Sequence, residues 1–313
     1  MTSVRGSSKH GSAQIYASGA CIALGRRLLE PSARSGNHPP TIPDDYQGDT
    51  GTPTAFPDLI ALGLEGADVI VMGEEHDDVL GHRLQREIAL ELIGCRPGLV
   101  IGLEMLERDK QDAVDAYMDG KIDAEALLTE LHDGPKARAN FSKFSLPMLE
   151  LARAHDIPVF AANAPRRYVK RARLEGYEAL RALPDEEQAL FTLPEALDEG
   201  AYRDRLMAIM SDNGLEPNEE RLIPWQRAQE VWDATMADSV TNALIENGDP
   251  VLLVVGRFHG DFGGGTVARI AASNPGVDIR YVVMLGSPSG PLQDTDQGRG
   301  DFVIYTDARR AND

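Results

Sequence analysis

Only two of the 313 residues are cysteine, Cys21 and Cys95. So few rule out a disulfide framework and any zinc site built mainly from thiolates. Basic residues are scarce as well: 31 Lys and Arg stand against 50 Asp and Glu, for a net charge of −19. That balance argues against nucleic acid or an anionic membrane surface as the main partner. No apolar run approaches the roughly 18 residues needed to cross a bilayer, so no transmembrane segment is expected. The remainder is ordinary for a globular chain, with 42% hydrophobic and 26% charged residues, and its length can bury a substantial core.

What positive charge there is lies unevenly. Residues 1–36 hold five Lys or Arg and a single acid, Glu30, in a stretch rich in Ser, Gly and Ala that lacks periodicity. Residues 1–55 are therefore expected to be a variable or disordered arm, with 309–313 as a short tail. The apolar part of the arm, GSAQIYASGA, is too polar and too short for an export signal. A cytoplasmic protein is the expectation, with an exported lipoprotein anchored at Cys21 as the alternative.

From about residue 56 to 308 the chain reads as one α/β domain. Strand candidates are Asp68–Gly73, Leu99–Leu103, Pro158–Ala162, Val251–Val255, Ile279–Leu285 and Phe302–Tyr305. Most are unbroken Val/Ile/Leu runs, as in strands covered on both faces. Helical patterns alternate with them. Asp78–Ile93 spaces Leu80, Leu84, Ile88 and Leu92 four apart behind a cap at Asp77 or Asp78. Leu146–His155 is a short helix, and Pro224–Glu246 a long one with Trp232, Met236, Val240 and Leu244 on one stripe and Pro224 near its start. This order predicts a mostly parallel central sheet flanked by helices. The strandless stretch 165–249 is expected to form a helical cap insertion, and 105–145 a smaller excursion.

Function points to where the apolar runs stop. VIVM is followed by GEEHDD, and VLLVV by GRFH, so Gly73–His76 and Gly256–His259 both read Gly-x-x-His. Glu104 follows VIGL and Asn163 follows PVFAA in the same way. Ligands in open α/β sheets bind at the carboxyl ends of the strands, and four separate strands put polar groups there. Two imidazoles with one or two carboxylates can hold a divalent transition metal (Zn, Mn, Co or Fe) or carry out metal-free acid–base chemistry.

Taken together, GEEHDDVLGHRLQ, GLEML, MLELARAHDIPVFAANAPRRYVKRARLEG, QEVWDATMADSV and VVGRFHGDFGGG resemble the ChaN-type haem-binding uptake proteins. These share a superfamily with the Tiki-type metal-dependent proteases and the erythromycin esterases. The likeness runs in order from Phe56 to Gly265. By resemblance, Glu74 and His76 fall on the first family motif, Glu104 on the second, Asn163 on the Asn-Ala-Pro segment, Asp233 on the Trp-containing helix and His259 on the second Gly-x-x-His.

The resemblance implies a haem-binding protein linked to iron or haem acquisition or handling, with haem or another small molecule at the C-terminal edge of the sheet. Haem needs an axial ligand, an apolar slot and cations for its propionates. Arg166, Arg167, Lys170 and Arg171 are candidate cations just after Pro165, and His76, His259 or Tyr168 could be axial; with Asn163, Arg166, Arg167 and Tyr168 form the expected haem-binding set. Haem sandwiched between subunits would make a homodimer. The basic run could equally be a solvated helix face, and Tyr168 a packing residue.

The Tiki-like alternative is a hydrolase of peptidase or esterase type. In it His76, Glu104 and His259 hold the metal and lower the pKa of bound water, and Glu74 takes the proton. Glu74, His76, Glu104 and His259 are thus the candidate catalytic residues. Asp233 could orient a histidine or face solvent, His82 reads as structural, and His10, His38, His132 and His155 have no evident partners. A third possibility is an inert sheet-edge pocket for a partner or small anion.

Overall fold

The computed structural model describes residues 14–17, 63–212, 219–247, 250–288 and 290–307. Most of the expected arm, Cys21 within it, and the tail lie outside the described residues. The short segment Gln14–Ala17 is described. It forms strand β1, antiparallel to β7, so this part of the arm is strand rather than coil. By pairing there it covers backbone groups that an edge strand would leave open.

The remaining strands are β2 (Val69–Glu74), β3 (Val100–Glu107), β4 (Val159–Asn163), β5 (Val251–Gly256), β6 (Ile279–Leu285) and β7 (Phe302–Tyr305). They form one sheet in the order β1-β7-β6-β2-β5-β3-β4, with β2 to β7 all parallel. The α/β fold with a mostly parallel sheet is as read from the sequence. Strand limits differ by a residue or so, except that β3 runs on to Glu107, past a break in its register with β4 after Leu103.

Alternation along each strand divides the core into two layers. Ile70, Met72, Ile101, Leu103, Leu252 and Val254 face one side, where α1 (Val79–Cys95), α2 (Gln111–Met118), α3 (Ala124–Leu131), α4 (Pro135–Phe144) and α5 (Leu146–Ala154) cover them. Val69, Val71, Val100, Val251, Leu253 and Val255 face the other. Both faces are covered, which explains why the strands are continuously apolar. Each fully buried Val, Ile or Leu contributes about 1.5–3 kcal/mol. Helix α1 starts at Asp78, whose Oδ1 accepts from the N–H groups of Leu80 at 3.0 Å and Gly81 at 2.9 Å. Its Leu84, Ile88 and Leu92 are buried against the sheet.

The stretch between β4 and β5 holds no strand among its described residues, although 189–200 are turn and coil. It comprises α6 (Arg166–Glu175), α7 (Tyr177–Arg181), α8 (Asp185–Gln188), α9 (Ala201–Asp212) and α10 (Glu219–Asn247). Only part of it is a cap. Met236, Ala237, Val240 and Ala243 of α10, with Ile270 of α11 (Gly265–Ser273), form the second sheet-covering layer. Ala228 and Val231 earlier in α10 join Tyr168, Val169, Leu180 and Phe191 in a separate small core.

Pro224 lies inside α10 rather than near its start. The extra turn ahead of it is anchored by Leu222, fully buried against Leu206 and Met210 of α9. That burial outweighs the helix bond the proline cannot make.

Candidate functional site

Strands β2, β5 and β3 are consecutive neighbours, so groups at their carboxyl ends lie about 4.8 Å apart from strand to strand. Glu74 ends β2 opposite Gly256, which ends β5. Glu104 sits in β3 where its pairing with β4 breaks, and the side chain turns to accept the Gly256 N–H. A Cβ at Gly256 would come within 3.0 Å of the His76 ring and 3.3 Å of Glu104 Oε2. A glycine is what allows imidazole, carboxylate and strand end to meet there.

Two carboxylate–imidazole pairs face this point. In the first, His76 Nδ1 lies 3.0 Å from Glu74 Oε1, while Glu74 Oε2 accepts from Gln85 Nε2 at 2.8 Å. Glu74 is 5% exposed and His76 59%, so the acid is buried and the imidazole stands at the mouth. The hydrogen bond to Glu74 raises the His76 pKa; burial opposes it and Glu104 adds to it. His82, on α1, closes the floor, with Nδ1 3.4 Å from Glu74 and Nε2 3.2 Å from the His76 carbonyl oxygen.

The second pair lies deeper. His259, in a 3-10 turn after β5, has Nδ1 2.7 Å from Asp233 Oδ1 and Nε2 3.5 Å from Glu104 Oε1. Asp233 is fully buried on α10, so it orients the histidine and does not face solvent. Tyr202 OH donates to its other oxygen, and Thr266 Oγ1 donates at 2.9 Å. Burial pulls the His259 pKa down, but Asp233 and Glu104 outweigh it and push it up to about 9. His259 therefore carries a proton at neutral pH between two carboxylates.

Above these groups opens a cavity of about 640 Å³. Met105, Leu131, Phe144, Leu206, Trp232 and Phe258 give it apolar walls, with the Trp232 ring edge-on to His259 at 6.4 Å. Size and lining suit a drug-sized or cofactor-sized molecule.

The sequence-predicted residues do not all arrive here. Glu74, His76, Glu104, Asn163 and His259 converge on the cavity. Asn163 ends β4, with Nδ2 donating to the Glu104 carbonyl at 3.1 Å, so it positions the neighbouring strand end. Arg166 reaches the rim and pairs loosely with Glu107 at 3.5 Å. Arg167 pairs with Asp109 and lines an adjacent groove. Tyr168 is not among the residues lining the cavity. It falls on the inward face of α6, packs on Phe191 and donates to Glu187 at 2.9 Å.

Glu75 is a structural residue, tied to Arg257 at 3.2 Å and accepting the Gly286 N–H. His132, which had no evident partner in the sequence, lines the cavity with Nε2 buried and unbonded. Nothing local signals this; α3 and α4 carry it there. The metal set fits less well. Among the described residues, no three His, Cys, Asp or Glu side chains are grouped to hold a metal ion. Both site imidazoles spend Nδ1 on carboxylates, and His259 Nε2 faces Glu104.

A cavity at the carboxyl edge of a doubly covered parallel sheet, lined by two Gly-x-x-His turns, the buried Glu74 and the partly buried Glu104, defines the class. The model of a family described as "Haem-binding uptake, Tiki superfamily, ChaN" matches residues 60–270, and the chain belongs to that family. A solved structure titled "Cofacial heme binding to ChaN of Campylobacter jejuni" aligns with a TM-score of 0.63 at 22% identity, covering 82% of this chain and 93% of that one. That likeness shows the shared fold. Protein RETICULATA-RELATED 5, chloroplastic, of Arabidopsis thaliana is 23% identical over 265 residues. The match covers 79% of this chain and 35% of the plant protein, so the chain spans about a third of that relative. An erythromycin esterase, EreC, aligns at a TM-score of 0.41 and 14% identity, too distant to bear on the site.

Proposed function

We propose that this protein binds haem as cargo in the cavity at the carboxyl edge of the sheet, in iron or haem handling. The observation that carries the reading is an apolar cavity of haem-compatible size, with an imidazole at its mouth, in a chain of the haem-binding uptake family. His76 is the candidate iron ligand. Its Nδ1 is held by Glu74, the arrangement that orients a metal-binding imidazole and raises its basicity, and its Nε2 remains for the iron. Trp232, Phe144 and Phe258 would cover the porphyrin faces.

Haem would bring a redox-active iron, and these residues would bind it, orient it and limit water around it. A hemin titration followed at the Soret band tests this. A saturable shift at one or two haems per chain, lost in His76→Ala, is expected; a weak response that never saturates would end the reading.

A second reading rests on the deeper pair. A protonated His259 beside Glu104, with the Glu74–His76 pair lining the same cavity, brings an acid and a base to one site, suited to metal-free hydrolysis. Esterase activity in metal-free buffer that disappears in Glu74→Gln would support this reading, and wild-type inactivity on a panel of esters and peptides would remove it.

A further inference from the structure

One corner of the cavity gathers unpaired basic groups, while Gln229 Oε1 and Trp232 Nε1 are also buried without partners in its lining. Near the acidic strand ends every site carboxylate and imidazole has a partner. On the α3–α4 side, Lys110 is half-buried, and among the described residues it makes no ion pair or hydrogen bond. Beside it, His132 Nε2 is buried with no partner, although the ring packs on Phe141 at 5.0 Å. Arg166, three-quarters exposed, completes the corner and has only the loose contact with Glu107. Unpaired polar groups at a cavity wall point to something that pairs them.

The sign of the missing partner follows from the charges. Four acids share the adjoining groove. Asp109 is bonded to Arg167 through Oδ2 while its Oδ1 is buried without a partner, and Glu107, its pKa raised by burial, accepts the Arg166 backbone N–H. Glu130 and Asp133 are exposed at the outer end. At the His132 ring, burial together with Arg166, Lys110 and Arg138 outweighs Asp133 and keeps the imidazole neutral. At the His132 ring three cations, Arg166, Lys110 and Arg138, stand against one acid, Asp133, so an anion is favoured at this point of a protein of net charge −19.

We infer that Lys110, His132 and Arg166 form a carboxylate-binding subsite. It holds the anionic end of an amphipathic ligand whose apolar body lies along Met105, Leu131 and Phe144 toward the strand ends. For the nature of that ligand the inference rests on the haem reading, in which the carboxylate is a porphyrin propionate. Charge-assisted hydrogen bonds from Lys and Arg are the strong kind, so their loss is measurable.

The test uses the full chain and the double variant Lys110→Gln/Arg166→Gln, both changes being at the cavity wall rather than in the core. Binding of metal-free protoporphyrin IX and of its dimethyl ester is followed by quenching of tryptophan fluorescence, and hemin by its Soret band. The expected result is a loss of roughly tenfold or more in affinity for the diacid, with ester binding unchanged. Wild-type affinity of the double variant for both hemin and the diacid overturns the subsite and leaves the haem reading standing. An equal loss for acid and ester also overturns it, because the carboxylate then plays no part. If the wild-type protein binds no porphyrin at all, the haem reading and the subsite fail together.

Discussion

Asparagine at position 233 isolates the buried charge set. Asp233 is fully buried and is bonded to His259, Tyr202 and Thr266. It is the chief reason that His259 stays charged despite burial. The span from the ordinary 6.5 to about 9, at about 1.4 kcal/mol per pH unit, is worth about 3 kcal/mol of folding stability.

Because the folded-state value is raised, that stability is fully present below pH 6.5 and is lost as pH rises through about 9. Asparagine keeps the shape but removes the charge, so burial takes over and His259 becomes neutral near pH 7. Breaking a buried pair by removing one partner costs about 3–5 kcal/mol.

Urea unfolding at pH 6, 7.5 and 9.5 should therefore show Asp233→Asn far weaker than wild type at pH 6, with the gap narrowing toward pH 9.5. Proton NMR of the His259 ring should show the titration moving from near 9 to below the ordinary value. A variant with the wild-type slope of stability against pH, or a wild-type His259 that titrates at an ordinary value, would refute the reasoning.

Three other changes probe the scaffold. Gly256→Ala places a methyl 3.0 Å from the His76 ring, so it should displace His76, shift its NMR titration and weaken hemin binding, with only about 1 kcal/mol lost in urea unfolding. In Gly102→Ala the new carbon would lie 2.3 Å from the Phe160 ring between β3 and β4; a loss of about 1–3 kcal/mol is expected, partly recovered when Phe160→Leu is added. Asp78→Ala removes the α1 cap and the acceptor for Thr306 Oγ1 at 2.5 Å; about 1–2 kcal/mol should be lost in thermal or urea melts, without a change in hemin affinity.

The elements visible in the sequence were those set by local pattern. Ile279–Leu285 and Phe302–Tyr305 appear with the limits the apolar runs suggest, and Asp78 caps α1 as its side chain allows. The convergence of Glu74, Glu104, Asn163 and His259 was legible because parallel strands put their carboxyl ends together. What was hidden depends on contacts between distant segments. Asp233 reads alike whether it faces water or His259, and only the packing of α10 on the sheet decides. His132 lies on a loop whose position is set by α3 and α4. Tyr168 follows two arginines in sequence, but helical rotation turns it into the small core beside Phe191 and away from the cavity. Pro224 looked like a helix start because the burial of Leu222 against α9 cannot be seen locally.

The most direct test of haem binding at this site is a crystal structure of the protein grown with hemin. The expected result is porphyrin density in the cavity bounded by Glu74, Trp232 and His259, with iron at His76 and a propionate toward Lys110 and Arg166. Haem bound elsewhere on the surface, or an empty cavity in crystals grown with excess hemin, would contradict it.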